Sequence, residues 1–177
     1  MANKARLRGR AKRKLAPKTR PRVVKRSPRK KVKKETKEAL YAVIRVRGRV
    51  NVSSKIEDTL EMLRLGRVNH CIVVPNSPSY NGMLHKSEEC ITWGEISEDT
   101  MEKLLYKRGS MKGRKIGKEK AGELAKKILS DPKGAEVELF FRLSPPSKGY
   151  KAIRLPYPRG ALGYRGDKIN DLLKRMI

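Results

Sequence analysis

The apolar residues between positions 40 and 96 recur with two different spacings, and these spacings predict alternating strands and helices. The segment 40–47 reads LYAVIRVR, with alternate residues forming one apolar face, and we predict a strand there. The segments 70–74 (HCIVV) and 91–96 (ITWGEI) are predicted to be two further strands. With a helix after each of the first two strands, the order is β-α-β-α-β. Such a unit buries its apolar surface when both helices stack on one face of the sheet.

The first helix is predicted from a start signal, an apolar stripe and a stop signal. Ser54 followed three residues later by Glu57 matches a capping box, in which the side chain of each residue accepts a hydrogen bond from the backbone N–H of the other. Leu60 and Leu63 continue an apolar stripe with helical spacing. Gly66 suits the left-handed residue that ends many helices. We therefore predict a helix from Ser54 to the residue before Gly66.

The second helix is predicted to begin at Ser77 and Pro78. Serine is a favoured N-cap residue, and proline is tolerated in the first helical position because its missing N–H would be unpaired there in any case. The periodic pattern continues to about Glu89. This helix start leaves free N–H groups and the positive end of a helix dipole, which favour phosphate.

The remaining residues predict a C-terminal extension of helices, one strand and irregular segments. In chain order these are a helix capped by Ser97 with Gly109 as its stop, a Gly/Lys-rich linker over 110–120, a helix over 121–129, a strand over 137–143, an irregular segment over 144–166 and a last helix capped by Asp167. The predicted fold class is α+β.

Charge divides the chain into an arm and a folded part. The 177 residues include 45 Lys and Arg against 18 Asp and Glu, a formal net charge of +27. Residues 1–34 hold 17 of these cations and no acid, because the first carboxylate is Glu35. Since the arm has no aromatic residue and few aliphatic ones, we expect it to be disordered in the free protein. The predicted organisation is a cationic arm over 1–34, a core over 35–97 and an extension over 98–177.

Such a charge excess favours a polyanionic partner. Each Lys or Arg that docks near an RNA phosphate releases a condensed counterion, so affinity grows with the number of contacts. A nuclear-localisation patch and an anionic membrane surface are rival interpretations. The arm shows no amphipathic stripe for a membrane, and apolar runs such as 71–74 are far too short to span a bilayer. No apolar segment follows the basic N-terminus, so we expect no secretory signal and no membrane partner.

The residue types that carry metal or catalytic chemistry are poorly spaced for it. His70, Cys71, His85 and Cys90 contain no C-x2-C or H-x3-H pair, which argues against a zinc site, and two cysteines cannot form a disulfide scaffold. The segment 113–118 (GRKIGK) is one residue short of a phosphate-binding loop and is better interpreted as a solvated basic linker. No G-x-S-x-G nucleophile motif is present. We therefore predict no metal, no cofactor and no catalysis.

Basic and aromatic residues instead mark candidate RNA contacts. The first strand–helix junction carries Arg45, Arg47, Arg49 and Lys55. If the strand persists, its three arginines point the same way. Residues 150–168 interleave Tyr150, Tyr157 and Tyr164 with Lys151, Arg154, Arg159, Arg165 and Lys168. Tyrosine can stack on an unpaired base while arginine contacts the backbone, which suits folded RNA better than duplex DNA. The alternative is that the tyrosines pack over neighbouring helices and the charges are ordinary surface.

At residues 41–96 the sequence closely resembles a known family. It contains, in order, the motifs I-R-V-R-G, T-L-x-M-L-R-L, P-N-S-P-x-Y-x-G-M-L and W-G-E-I. These are similar to the core of the large-subunit ribosomal proteins called L thirty in bacteria and archaea and L seven in eukaryotes. The later motifs R-L-S-P-P-S-K-G and G-A-L-G-Y-R-G-D-K-I-N-D-L-L resemble the archaeal form, whereas the bacterial form ends near Ile96. The 34-residue arm departs from the archaeal pattern.

The resemblance implies a non-catalytic protein that binds ribosomal RNA. It implies a three-stranded antiparallel sheet, somewhat ferredoxin-like, in a large-subunit protein near the 5S rRNA. The implied partners are large-subunit rRNA and neighbouring large-subunit ribosomal proteins, with the chain monomeric within the cytoplasmic ribosome and without a cofactor. The RNA-facing residues it implies are Arg45, Arg47, Arg49, Asn76, Ser77, Ser79, Asn81, Lys86, Arg159, Tyr164 and Arg165. Charge alone adds Lys55 and, from the arm, Arg6, Arg8, Arg10, Arg13, Arg20, Arg22, Arg26, Arg29 and Lys30.

Two other classes of protein share some of these features. A DNA-compacting protein of chromatin or the nucleoid would have the same charge and flexible arm, but duplex DNA would then compete as well as rRNA. A nucleic-acid-modifying enzyme would require a carboxylate or cysteine cluster, which we could not assemble from the sequence.

Overall fold

A computed structural model describes residues 40–111, 113–132 and 137–177, so the predicted arm lies outside the described residues. The strands are β1 (Leu40–Arg45), β2 (His70–Pro75), β3 (Ile91–Glu95), β4 (Ser110–Met111), β5 (Arg114–Lys115), β6 (Phe140–Arg142) and β7 (Gly163–Tyr164). The helices are α1 (Ser54–Met62), α2 (Pro78–Lys86), α3 (Glu98–Arg108), α4 (Lys118–Ser130) and α5 (Ile169–Met176), with a 3-10 turn at Gly166–Lys168 before α5.

The central sheet has β1 in its middle. β1 pairs antiparallel with β2 on one side and with β3 on the other, which confirms the predicted three-stranded antiparallel core. The C-terminal extension adds one strand at each edge: β6 pairs antiparallel with β2, and β7 pairs parallel with β3. The sheet order is therefore β6-β2-β1-β3-β7.

Helices cover both faces of this sheet. Val43 of β1 packs with Leu60 of α1 and Leu84 of α2 in one hydrophobic cluster. Its neighbours Ala42 and Ile44 point the other way, into a cluster with residues of α3, α4 and α5. The prediction that the two helices of the β-α-β-α-β unit stack on one face is confirmed, and α3, α4 and α5 cover the other face. Because successive strand residues alternate between faces, the nearly continuous apolar run of β1 fits a sheet that is buried on both sides.

The predicted capping box and stop of α1 are both wrong. The N-cap residue is Ser53, its side chain makes no capping hydrogen bond, and Ser54 is already helical. Glu57 is occupied elsewhere, since its carboxylate accepts hydrogen bonds from two arginines described below. The helix ends at Met62 with Leu63 as its C-cap, and the left-handed residue after it is Arg64, with a φ of 57°, rather than Gly66.

The predicted start of α2 is confirmed. The Ser77 hydroxyl accepts a hydrogen bond from the Tyr80 backbone N–H at 3.4 Å, and Pro78 occupies the first helical position. The helix ends at Lys86 rather than near Glu89, and the Ser87 hydroxyl donates to the Met83 carbonyl in its last turn.

The segments predicted to be irregular contain more structure than the pattern indicated. The 110–120 linker forms a β4–β5 hairpin. The 144–166 segment stays largely irregular but includes β7, and backbone hydrogen bonds tie its loop together, such as Leu162 N–H to the Leu155 carbonyl. Gly160 is required in this loop, because a Cβ there would lie 2.1 Å from the Leu155 carbonyl oxygen.

The antiparallel register defines two ends of the sheet. At one end, Arg45 lies opposite Ile91, and the adjacent Ile44 lies opposite Cys71. We call this the Arg45 end. At the other end Leu40 lies opposite Pro75, and we call this the Leu40 end. The five steps from Leu40 to Arg45 separate the two ends by about 17 Å.

Candidate nucleic-acid interface

Arg45 is buried, which corrects the prediction that it faces RNA. Its side chain has 0% exposure. Its guanidinium donates from Nε to the Arg47 carbonyl at 2.8 Å and from Nη1 to the Leu65 carbonyl at 2.7 Å. Nη2 donates to Glu57 Oε2 at 3.0 Å. Every one of these partners is internal, so Arg45 holds the end of β1 against α1.

Glu57 is shared between a buried and an exposed arginine. Arg49 Nε lies 2.7 Å from Glu57 Oε1, and its Nη2 lies 3.1 Å from Glu61 Oε1. The hydrogen bond from Arg45 is the main cause that holds the pKa of Glu57 below its usual range, although partial burial opposes it. Arg49 remains 63% exposed, so it can also contact a ligand. Lys55, in the first turn of α1, is exposed as well.

Arg47 and Lys86 come together in one cleft. The cleft has a volume of about 500 Å³, and the same wall includes Arg154 from the loop after β6. Arg47 Nη1 donates to the Glu89 carbonyl at 3.3 Å, which fixes the guanidinium at the cleft. Glu88 and Glu89 also line it, so the cleft is basic with an acidic margin.

The polar residues at the start of α2 lie away from these arginines. Asn81 Nδ2 donates to Asn76 Oδ1 at 2.8 Å, and Ser77 is engaged as the N-cap. Ser79 is exposed. These residues follow β2 at the Leu40 end, whereas Lys86 is at the opposite end of the helix, about 13 Å away for nine residues. The structure therefore divides the predicted set of contacts into two groups.

Tyr164 is held in a small aromatic group. Its hydroxyl donates to Glu95 Oε1 at 2.5 Å. Its ring lies 6.5 Å from that of Tyr41 in an edge-to-face arrangement and 6.3 Å from that of Trp93. Desolvation and the Glu95 carboxylate raise the pKa of the Tyr164 hydroxyl. The side chain is still 49% exposed, so one part of the ring is open to a stacking partner.

Arg165 is half-buried and largely committed to the protein. Its Nε donates to Thr92 Oγ1 at 2.9 Å and its Nη2 donates to the Ala161 carbonyl at 3.0 Å. Its guanidinium lies 5.2 Å from the centre of the Tyr157 ring. Burial lowers the pKa of this guanidinium from its ordinary value. Arg159, in the same loop, is exposed.

A second basic cleft lies beside Arg165, and the sequence pattern marks Lys151 and Tyr157 of its lining but not Lys148 or Arg175. It has a volume of about 500 Å³ and is lined by Lys148, Lys151 and Arg175 together with Tyr157. Tyr150 also borders it, but its hydroxyl donates to Asn69 Oδ1 at 2.7 Å, and burial raises its pKa to about 12. Tyr150 is thus a packing residue, as the alternative interpretation of the tyrosines allowed.

A group of cations, most of them exposed, lies at the Arg45 end. Residues there come from the loops that enter and leave the sheet, and the pairing of His70 with Arg142 brings β6 to the same end. The cations are Arg47, Arg49, Arg64, Arg67, Lys86, Arg142, Lys148, Lys151, Arg154 and Arg175. The Leu40 end instead carries Glu95, Glu98, Asp99 and Asp167. Four of the cations that were not predicted, Arg64, Arg67, Arg142 and Lys148, lie in or beside a segment that connects predicted elements, whereas Arg175 lies in the last turn of the final helix.

The candidate metal ligands do not come together. Among the residues that the structure describes, no group of three His, Cys, Asp or Glu side chains is placed to hold a metal ion. Burial raises the pKa of the Cys71 thiol to about 12, which keeps it protonated and unreactive. Within the same residues, no helix is both long enough and apolar enough to cross a bilayer.

Comparisons with known proteins decide the family. Residues 41–91 match the model of the ribosomal protein L30p/L7e family. The chain is 48% identical over 154 residues to "Large ribosomal subunit protein uL30" of Nanoarchaeum equitans, covering 78% of this chain and 99% of that protein. The protein of the same name from Methanosphaera stadtmanae is 42% identical over 152 residues, covering 78% of this chain and 100% of that protein. The chain belongs to this family. It is therefore a structural ribosomal protein and not an enzyme, and its cellular location is the cytoplasmic ribosome.

The archaeal members of the L30p/L7e family extend the comparison. The protein named uL30 from Archaeoglobus fulgidus is 43% identical over 151 residues, covering 77% of this chain and 99% of that protein. These alignments extend well beyond the segment of the family model, so the likeness includes much of the C-terminal extension as well as the β-α-β-α-β core.

Proposed function

We propose that this member of the L30p/L7e family binds and stabilises folded large-subunit rRNA near the 5S rRNA, as a monomer in contact with neighbouring large-subunit ribosomal proteins. The observation that carries the proposal is the group of cations, most of them exposed, that lines two clefts at the Arg45 end. The curated relatives are named as large-subunit proteins, which supports the same subunit for this chain.

The proposed contact surface differs from the one predicted from sequence. Arg47, Lys86 and Arg154 contact the RNA backbone. Arg49 also contacts it, because its side chain is 63% exposed although it is paired with Glu57. The exposed loop with Arg159 extends the surface, and Tyr164 offers a partly exposed ring for stacking. Arg45 and Arg165 act indirectly, since they position the loops that carry the contacts.

The polar residues at the start of α2 form a separate proposed contact. Asn76, Ser77, Ser79 and Asn81 lie at the Leu40 end, where backbone N–H groups of the helix start can bind a phosphate. The arm arginines listed above remain proposed RNA contacts from the sequence alone. We expect deletion of residues 1–34 to lower the affinity for rRNA and to flatten its salt dependence, and an unchanged slope would contradict this role.

A charge-matched pair of variants tests the Arg45 end. In the first, Arg47, Lys86 and Arg154 are replaced by Gln; in the control, the exposed Lys103, Lys126 and Lys127 of α3 and α4 are replaced by Gln. The affinity of the full chain for deproteinised large-subunit rRNA is measured over a range of salt concentrations. We expect the slope of log K against log salt to fall by about 2 to 3 in the first variant and by less than 1 in the control.

Two further measurements separate the finer claims. Equal slopes in the two variants would contradict the proposed surface. If duplex DNA competes as well as rRNA, the chain is a general nucleic-acid binder instead. An iron chelate is attached to the cysteine of a Lys86→Cys variant, where it cleaves nearby RNA. The chelate reacts selectively with this cysteine because Cys71 and Cys90 are buried. Cleavage remote from the 5S rRNA would refute the proposed location.

A further inference from the structure

The 110–120 segment is a built part of the fold rather than a solvated linker. Ser110 lies opposite Lys115, and Met111 lies opposite Arg114, in the β4–β5 hairpin. The next residue, Ile116, is only 5% exposed and packs in the cluster formed with α3, α4 and α5. Ile116 therefore anchors the hairpin to the helical layer and fixes the direction of its basic side chains.

A cleft of about 830 Å³ lies between this hairpin and the first turn of α4. Four cations line it: Arg114, Lys115, Lys118 and Lys120. All four are exposed, and Glu119 is the one carboxylate among the lining residues. Met111 and Ile116 supply an apolar part of the wall. Within the described residues, none of these four cations is in an ion pair.

We propose that this cleft binds the sugar–phosphate backbone of a second rRNA segment, separate from the RNA at the cleft of Arg47, Lys86 and Arg154. The inference rests on the proposed function, because it takes the polyanion to be rRNA. Four closely spaced cations with one acid favour a dense line of negative charge, which a phosphate backbone supplies. The apolar wall suits the sugar and base faces of an unpaired nucleotide, and the volume lies in the range of ligand clefts.

The position of the cleft is the reason to assign it a different RNA segment. Its anchor, Ile116, packs in the cluster with α3, α4 and α5. Lys86 instead belongs to α2, which packs on the opposite face of the sheet. A protein that contacts RNA from both helical layers can fix the positions of two RNA segments relative to each other, whereas contacts from one layer bind a single segment.

A second charge-matched pair of variants tests the cleft. One full-length variant replaces Arg114, Lys115, Lys118 and Lys120 with Gln; its control replaces the exposed Lys103, Lys107, Lys126 and Lys127 with Gln. If all four cations contact phosphates, the slope of log K against log salt falls by about 3 in the cleft variant. We expect a change of less than 1 in the control. A thermal melt by circular dichroism checks that both variants are folded.

A cleavage experiment locates the RNA without removing any cation. Gly117 is at the cleft, its φ is −69°, and a Cβ there meets nothing within 4 Å, so Gly117→Cys is accommodated. An iron chelate on this cysteine should cut an rRNA segment different from the one cut from the Lys86→Cys probe. Identical cuts from the two probes would overturn the assignment of a second segment.

The outcomes distinguish this inference from the proposed function. If the wild-type chain fails to bind rRNA, both are refuted. If the Lys86→Cys probe cuts rRNA but the Gly117→Cys probe does not, the second site is refuted and the function stands. If the cleft variant keeps the wild-type salt slope yet no longer enters the large subunit, the cleft binds an acidic protein segment, and the RNA assignment is wrong.

Discussion

Replacing the buried Arg45 should destabilise the fold far more than replacing the exposed Arg49, although both bind the same carboxylate. Arg45→Met keeps most of the apolar stem but removes the guanidinium. The carbonyls of Arg47 and Leu65 then lose their side-chain donor, at 2.8 and 2.7 Å, and Glu57 loses its buried partner. Removing one partner of a buried pair costs roughly 3–5 kcal/mol, and we expect about 4 kcal/mol here.

Urea unfolding of the full chain measures this loss. With an m-value of about 2 kcal/mol/M, a loss of 4 kcal/mol lowers the midpoint by about 2 M. The control is Arg49→Met: its side chain is 63% exposed, so its ion pairs are hydrated and we expect a urea midpoint close to that of wild type.

Two outcomes bear on the reasoning behind this prediction. If Arg45→Met lowers the free energy of unfolding by less than about 1 kcal/mol, and no more than Arg49→Met does, the view that burial makes Arg45 structural is refuted. Should Arg45→Met fail to fold, the test uses Arg45→Lys, which keeps a positive charge without the planar guanidinium. We expect this variant to fold and to have a lower urea midpoint than wild type.

Three further predictions concern single positions. Because the pKa of Glu57 is lowered in the folded state, its carboxylate contributes to stability above the unfolded pKa, and this contribution is lost as the pH falls through the folded pKa. The free energy of unfolding, measured with urea between about pH 6 and pH 2, should therefore fall less for Glu57→Gln than for wild type. Gly160→Ala places a Cβ 2.1 Å from the Leu155 carbonyl oxygen and should cost on the order of 2 kcal/mol, whereas Gly82→Ala, where a Cβ has open space, should not lower the melting temperature. Ser77→Ala removes the N-cap of α2 and should cost about 1 kcal/mol in urea unfolding, and a loss near zero would show that the 3.4 Å hydrogen bond contributes nothing.

Local patterns predicted the elements that depend on local chemistry. The three core strands follow from short apolar runs, and the start of α2 follows from Ser77 and Pro78, because capping involves residues only three apart in sequence. The capping box at Ser54 failed for the opposite reason. Glu57 pairs with Arg45, twelve residues away, and that contact exists only after β1 and α1 have packed together.

The same limit explains the errors at the candidate site. A period of two places Arg45 on one side of β1 with Tyr41 and Val43, but it does not show whether a helix covers that side. The structure places α1 and α2 over it, so Arg45 is enclosed. The cations of the cleft beside Arg165 come from segments about 25 residues apart, around Lys148 and Arg175, and only the tertiary fold brings them together.

The uneven distribution of charge between the two sheet ends has a consequence for how the molecule approaches its partner. The Arg45 end carries more cations than carboxylates, whereas Glu95, Glu98, Asp99 and Asp167 lie at the Leu40 end, so positive charge is in excess toward one end of the sheet. In the field of a polyanion such a body rotates while still several ångströms from contact, and the cation-rich end turns forward. The fraction of collisions that lead to binding therefore rises, and this increase in association rate disappears when added salt shortens the range of the field.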